Sequence, residues 1–364
     1  METPPAQETF CSPSAEGSET PGCASTATLL PVHEQTHEPA QPSETIFVRL
    51  LSVFLAIAPL LLIGGLLYAA IFVKPTVSTT AFAAPPIQRG DFMYGVTSPA
   101  PDVLWAAGTF GKIWLSEDGA QSWSIQSTPT RMNLQDIVAW NMSQAVAVGD
   151  GGVVLRTEDG GHHWAAVEVP LSKLSNKLLR LRLFEDASAW AVGEGGSVLR
   201  SGDVGRHWQR VHGDVDQAWN DVHKQGEQVW VAGEFGRIAV SRDVGRNWSS
   251  VASPVRTSLM AIAFRDANNG VAVGVEGVIL ITRDGGAKWI EVPKPTREHL
   301  FDLLWDGTGW LAVGDKGILL RADAQATQWR FGRVTEGERA WHTKLITSGK
   351  NYVFSGATLS MLPR

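Results

Sequence analysis

The sequence predicts an all-β fold, a seven-bladed β-propeller of four-stranded blades, preceded by a disordered tail and one transmembrane helix. Three observations carry that expectation. A short box, Ser/Thr-x-Asp-x-Gly-x-x-Trp, recurs at intervals of about forty residues. A second constant element, Gly-x-x-Gly followed by an alternating apolar strand, stands before each box. An uncharged apolar run, Leu50 to Val73, separates these repeats from an acidic N-terminal stretch. The chain thus divides into a disordered acidic tail (1–45), a transmembrane helix (46–74), a linker that could supply a ring-closing strand (75–87) and the propeller (88–364).

The tail is rich in Pro, Ser, Thr and Glu, with seven Glu and no Lys or Arg. Such a segment has too little apolar surface to offset the entropy of ordering it. Arg49 is the first basic residue, so the charge accumulated by that point already equals the whole chain's −6. The remainder is balanced, and the basic excess expected of a nucleic-acid binder is absent. Both cysteines, Cys11 and Cys23, lie in the tail, which leaves the propeller without a disulfide framework and indifferent to redox compartment. Neither stands after the apolar run, where a lipoprotein anchor would.

The apolar run is longer than the roughly 20 residues needed to cross the hydrocarbon of a bilayer. Arg49 and Lys74 bound it, Pro59 interrupts it, and Gly64–Gly65 would permit close approach of another helix. Ala81-Phe82-Ala83 has the small-x-small form of a cleavage site. A secretory apolar region is shorter and begins near the N-terminus, so an uncleaved single-pass anchor is expected. The usual signal-anchor arrangement places the tail in the cytoplasm and the propeller outside it, in a periplasm or lumen.

The repeats give the fold its number. The boxes are SEDGAQSW (116–123), TEDGGHHW (157–164), SGDVGRHW (201–208), SRDVGRNW (241–248) and TRDGGAKW (282–289). A sixth, RADAQATQW (321–329), has one extra residue and no Gly. The constant acids are Asp118, Asp159, Asp203, Asp243, Asp284 and Asp323. The constant indoles are Trp123, Trp164, Trp208, Trp248, Trp289 and Trp329, spaced by 41, 44, 40, 41 and 40 residues. Each unit reads strand, strand, Gly turn, strand, box turn, strand, which is the mark of a propeller blade. The C-terminal AWHTKLITSGKNYVFSGATLSMLP supplies three strands of a seventh, and residues 80–88, TAFAAPPIQ, could supply the fourth. Closing the ring removes exposed sheet edges.

A tight turn between the third and fourth strands needs φ > 0, which Gly supplies cheaply. The Asp carboxylate and the Ser/Thr hydroxyl can accept from loop N–H groups. The indole buries a large apolar face between sheets. His162 and His163, beside Glu158 and Asp159, suggest a metal site at first sight. Both fall at variable positions of the repeat, so the stretch is expected to be a structural turn, with no metal and no cofactor.

These residues resemble the Asp-box, or BNR, repeat. Together with the upstream V-G-x-x-G-x-[IVL] strand, they are similar to the photosystem II stability and assembly factor family of seven-bladed propellers and its bacterial membrane-anchored relatives, over roughly residues 85–362. The resemblance implies a non-enzymatic assembly or scaffolding protein. Its partner would be a membrane protein complex, a photosystem subunit in phototrophs or a transporter in other bacteria. An arginine-rich patch on the propeller is the contact surface the resemblance implies. The acidic tail and uncleaved helix depart from the lipoprotein signal or transit peptide expected there.

In a propeller the turns between second and third strands share a face with the inter-blade links. The Gly-x-x-Gly turns carry Asp150, Glu194, Glu234, Glu276 and Asp315. The links carry Arg131, Lys173, Lys177, Arg180, Arg256, Arg297 and Arg339, and Arg182 follows in the third blade's first strand. The expectation is a basic belt nearer the axis and an acidic one farther out, with the basic residues as candidate partner contacts. The third link, LSKLSNKLLRLR, is the longest. Trp105, Trp190, Trp230 and Trp310 are expected between blades, and packing is the expected role of Trp140, Trp219, Trp305 and Trp341.

An Asp-box sialidase or glycoside hydrolase is the enzyme alternative. A sialidase needs an arginine triad and an activated Tyr, and the propeller has only Tyr94 and Tyr352. Asp136, Asp221 and Asp302 are the acid candidates in first strands, with nothing in the sequence to raise their pKa. No catalytic residue is assigned.

Overall fold

The computed structural model describes residues 46–72 and 87–364. They belong to two compact units, divided after Ala81. The first contains one α-helix, Ile46–Phe72, whose 27 residues run through Pro59. At 1.5 Å per residue it is about 40 Å long, enough to cross a bilayer. From Val48 to Phe72 it is long and apolar enough to be a membrane span. The expected disordered tail, Val73 and Lys74 lie outside the described residues.

The second unit is the seven-bladed propeller. The blades span 93–126, 134–166, 178–210, 219–251, 259–291, 300–333 and 342–363. In each blade the strands hydrogen-bond antiparallel in chain order. Six blades have four strands, and the seventh has three among the described residues. The expected ring-closing strand at 80–88 falls mostly outside the described residues; Ile87 and Gln88 are described and are not in a strand.

Each blade is too small to bury its own faces, so the core lies between blades. Trp105, Ala107 and Ile113 of blade one pack with Ile137, Leu155 and Trp164 of blade two. The same arrangement recurs around the ring to the contact of Val353 and Met361 with Val96 and Leu104, which joins blade seven to blade one. Trp105, Trp190, Trp230 and Trp310 are at most 1% exposed, as expected for inter-blade wedges. Trp105 meets Trp164 edge-on at 6.1 Å, and Trp230 stacks on Phe264 at 4.2 Å.

The boxes hold the strands in place. In the second box Thr157 Oγ1 donates to Asp159 Oδ1 at 2.9 Å and accepts from Gly161 N at 2.9 Å. Asp159 Oδ1 also accepts from His163 N at 2.9 Å. The same bonds recur at Ser116/Asp118, Ser201/Asp203, Ser241/Asp243 and Thr282/Asp284. The turn needs two successive left-handed residues, one more than the sequence argument required. The second is Gly161, Gly205, Gly245 or Gly286, and Ala120 in the first box. At Gly286 a Cβ would lie 2.5 Å from Trp230 Nε1 of the preceding blade, so Gly is needed for space as well as for φ. The irregular sixth box keeps the turn: Asp323 Oδ1 accepts from Ala326 N at 3.1 Å, and Trp329 Nε1 donates to Ala326 O at 2.9 Å.

Candidate partner-binding face

The face opposite the boxes is built from the Gly-x-x-Gly turns and the inter-blade links. Each turn bonds to the backbone just before its own blade's first strand: Asp150 N to Asn133 O at 2.9 Å, Glu234 N to Ala218 O at 3.1 Å, Asp315 N to His299 O at 2.9 Å. The last Gly of the turn presses on the link that follows. A Cβ at Gly111, Gly236 or Gly277 would sit 2.1–2.2 Å from the carbonyl oxygen of Thr130, Val255 or Thr296. The residue before it is also left-handed, and in two blades it is an aromatic: Phe110 (φ 57) and Phe235 (φ 56), 64% and 63% exposed. A left-handed aromatic costs about 1–2 kcal/mol and here gains no core contact in return.

The basic residues separate into two groups. Arg131, Arg256, Arg297 and Arg339 each stand three residues before a first strand, at Leu134, Leu259, Leu300 and His342. All four are exposed, and none makes an ion pair or side-chain hydrogen bond among the described residues. Lys173 is exposed as well, while Lys177 lies 3.5 Å from Asp150. The acidic belt does not neutralise the arginines because most of its carboxylates are engaged locally. Asp150 accepts from Asn133 and Gln135, Glu194 from Ser175, Glu234 from Ala218 N, and Asp315 from Lys316 N.

Arg180 and Arg182 are placed differently. They leave the link register and point into the central tunnel, so the structure does not present them on the basic rim. Arg180 is 7% exposed; its guanidinium donates to Thr343 O at 3.0 Å and to Phe301 O at 2.8 Å, on the far side of the axis. Arg182 bonds Asp221 through two nitrogens at 2.9 Å and Asp302 at 2.8 Å. Lys344 Nζ lies 2.6 Å from Asp136 Oδ2. Three cations and three carboxylates thus plug the tunnel.

Each of these carboxylates also bonds the neighbouring blade's first strand. Asp136 accepts from Leu181 N at 2.9 Å, Asp221 from Ile262 N at 3.0 Å, and Asp302 from Leu345 N at 2.8 Å. Lys344 escaped the sequence reading. The signal was present: Asp136, Arg180, Asp221, Asp302 and Lys344 are all the third residue of a first strand, a charged register inside apolar alternation.

For one of the acid candidates, Asp302, the plug has a chemical consequence. Burial alone would raise the Asp302 carboxyl, but the Arg182, Arg180 and Lys344 charges outweigh it and hold the group at about 2. That is the opposite of a general acid poised near neutrality. Tyr352 is likewise pushed up by burial and by the Asp306 carboxylate it bonds, whereas a nucleophile would be pushed down. His163 Nδ1 is taken by Asp159 Oδ2 at 2.6 Å, and the described residues contain no cluster of three or more metal-ligating side chains.

The sequence matches the family model described as photosynthesis system II assembly factor YCF48 over residues 116–217 and 246–336. No curated protein matches. Among solved structures, a YCF48 bound to a D1 peptide superposes with a TM-score of 0.63 at 16% identity, covering 77% of this chain and 95% of its own. YCF48 from Cyanidioschyzon merolae gives 0.61 at 16% identity, over 76% and 96%. The computationally designed Ika8 protein gives 0.55 at 10% identity, over 75% and 96%; at these identities each of the three likenesses is one of fold alone. With the matched segments covering more than half of the residues and the box turns, link face and seven blades as described, the chain belongs to the photosystem II assembly factor YCF48 family of Asp-box propellers.

Proposed function

We propose that this chain is a non-enzymatic, membrane-anchored assembly factor that holds a membrane-protein partner on its link face, with the propeller outside the cytoplasm. The observation that carries the reading is the repeated, unpaired arginine register: Arg131, Arg256, Arg297 and Arg339, with exposed Phe110 and Phe235 on the same face. Arg presents several donors in a planar fork and suits carboxylates and main-chain oxygens. An extended acidic or C-terminal peptide segment fits such an arc. The solved YCF48 with a D1 peptide supports a peptide of a membrane protein as the ligand class.

The test is a pull-down of the tagged full chain from solubilised membranes, compared with an Arg131→Glu, Arg256→Glu, Arg297→Glu, Arg339→Glu variant. Photosystem subunits recovered by the natural chain and lost from the variant, with recovery falling as salt rises, are expected. Enrichment of a transporter would favour the accessory-subunit alternative. Equal recovery by both proteins would overturn the role of this face. A topology reporter fused to Arg364 is expected to read extracytoplasmic.

A further inference from the structure

We infer that the groove between blades three and four, beside their boxes, is a carboxylate-binding site built on Arg200 and Arg246. The seam before it shows the same arrangement already filled from within the chain. There Arg156 stands directly before the box of blade two, Glu158 is that box's second residue, and Arg206 is the sixth residue of the next box. One carboxylate oxygen serves both arginines: Glu158 Oε1 accepts from Arg156 Nη2, and from Arg206 Nη2 at 2.6 Å. Arg156 Nε donates to Val204 O of the next box at 2.7 Å. The bonds from Arg156 and Arg206 hold the Glu158 carboxyl at about 2, so the place between them is one for an ionised acid.

One blade on, the register repeats with a single change. Arg200 stands before the box, Arg246 is the sixth residue of the next box, and Gly202 takes the place of Glu158. Neither arginine makes an ion pair or a side-chain hydrogen bond among the described residues. The Arg200 guanidinium lies 5.9 Å from the Trp190 ring centroid, and its Nε is buried without an acceptor. A buried N–H left so is costly, and it calls for a partner. The carboxylates nearby are committed elsewhere. Asp203 holds Ser201 and His207, Asp243 holds Ser241 and Asn247, and Asp214 pairs with Arg210 at 2.8 Å. Glu227, exposed on the adjoining hairpin of blade four, pairs with neither arginine.

The space matches the missing group. The groove at Arg200 and Arg246 measures about 700 Å³, against about 470 Å³ for its filled counterpart at Arg156, Glu158 and Arg206. Gln209, Val211 and His212 complete its wall, and Gln209 stands where the counterpart has Ala165. Two guanidinium groups facing one opening suit a carboxylate, which each can meet with a charge-assisted bond. The ligand is therefore a carboxylate, carried either by an acidic side chain of a protein or by a small free acid. This site lies beside the boxes, away from the link face, and does not depend on the reading given to that face.

The experiment uses the full chain in detergent with Arg131→Ala, Arg256→Ala, Arg297→Ala and Arg339→Ala, so that the link face does not contribute. Glutarate, inorganic phosphate and the peptide acetyl-Glu-Glu-Glu-amide are titrated by calorimetry at low salt. Saturable binding of glutarate or the peptide is expected, weakened about tenfold or more by adding Arg246→Ala or Gly202→Glu. Gly202 is exposed, is not left-handed, and would place a Cβ with nothing within 4 Å, so Gly202→Glu keeps the fold and fills the site from within. Tighter binding of the peptide than of glutarate names a protein side chain as the ligand; equal or weaker binding names a small acid. No binding of either, undiminished binding by Gly202→Glu, or tighter binding of phosphate than of both would overturn the inference. A reading without ligand is the titration of the introduced carboxyl in Gly202→Glu, followed by NMR. It is expected at least about one unit below the ordinary glutamate value of about 4.3; an ordinary value would show that the two arginines do not converge there.

Discussion

Lys344, in the last blade, holds its ammonium 2.6 Å from the Asp136 carboxylate of the second blade, and both side chains are almost fully buried. Two residues 208 apart in sequence are thus joined inside the tunnel. Arg180 and Arg182, from the third blade, reach backbone and carboxylates of blades four, six and seven. The ring is therefore tied across its centre as well as around its circumference. A buried ion pair is weak evidence of net stability, but breaking one side of it is costly.

Lys344→Met is expected to destabilise the propeller by about 3–5 kcal/mol, because Asp136 is left buried with an uncompensated charge. Asp136→Asn should cost a similar amount. The double variant is expected to recover part of the loss, so a double-mutant cycle in chemical denaturation should show clear non-additivity. Additive losses would mean that the two groups do not interact.

The acid response has a definite sign. Asp302 is held at about 2, well below its ordinary value. A carboxylate depressed in the folded state contributes stability that is present above its unfolded pKa of about 4 and lost as pH falls through the folded value. Denaturation midpoints should therefore decline between about pH 4 and pH 2. Asp302→Asn should lower stability at neutral pH and flatten the decline over that window. An unchanged slope would remove Asp302 from the account.

The two groups of arginines should behave oppositely. Arg131→Ala, Arg256→Ala, Arg297→Ala and Arg339→Ala should each leave stability within about 0.5 kcal/mol of the natural chain, since none has a partner to lose. Arg180→Ala removes a guanidinium that bonds two carbonyls across the axis and should cost about 3–5 kcal/mol. Thermal melts of the five variants separate a surface kept for binding from a residue kept for the fold.

Much of the fold was legible because its demands repeat. The box indoles report the blade period, and the box acids report the turn, since five of them accept from the same loop N–H, four residues on. The link arginines could be assigned to links for the same reason, and four of them, Arg131, Arg256, Arg297 and Arg339, stand three residues before a first strand. Arg180 was misplaced by that logic. In blade three the long link carries several basic residues, and Arg180 takes the inward third position of the strand, after the same bulge that the other first strands carry. Lys344 was missed because a lone Lys in a strand reads as an exposed face until the opposing carboxylate is seen. Two features of one register, sign alternation around the ring and burial, become visible only once the blades are set side by side.

The left-handed turns give the last expectation, and it separates space from conformation. At Gly277 φ is +70° and a Cβ would lie 2.2 Å from the Thr296 carbonyl oxygen. Ala there must both adopt a left-handed conformation, at about 1–2 kcal/mol, and displace the link's backbone, at about 1–3 kcal/mol more. Glu276, one residue earlier, has φ 57 and is exposed, with no side-chain partner to lose. Glu276→Gly relieves the same conformational strain but frees the unfolded chain, so it should stay within about 1 kcal/mol of the natural protein. Only the excess reports the carbonyl contact: a loss well above about 2 kcal/mol for Gly277→Ala, with Glu276→Gly nearly neutral, shows that the turn's final glycine is fixed by its packing on the link. A loss of only about 1–2 kcal/mol for Gly277→Ala would leave backbone conformation as the sole reason for glycine there.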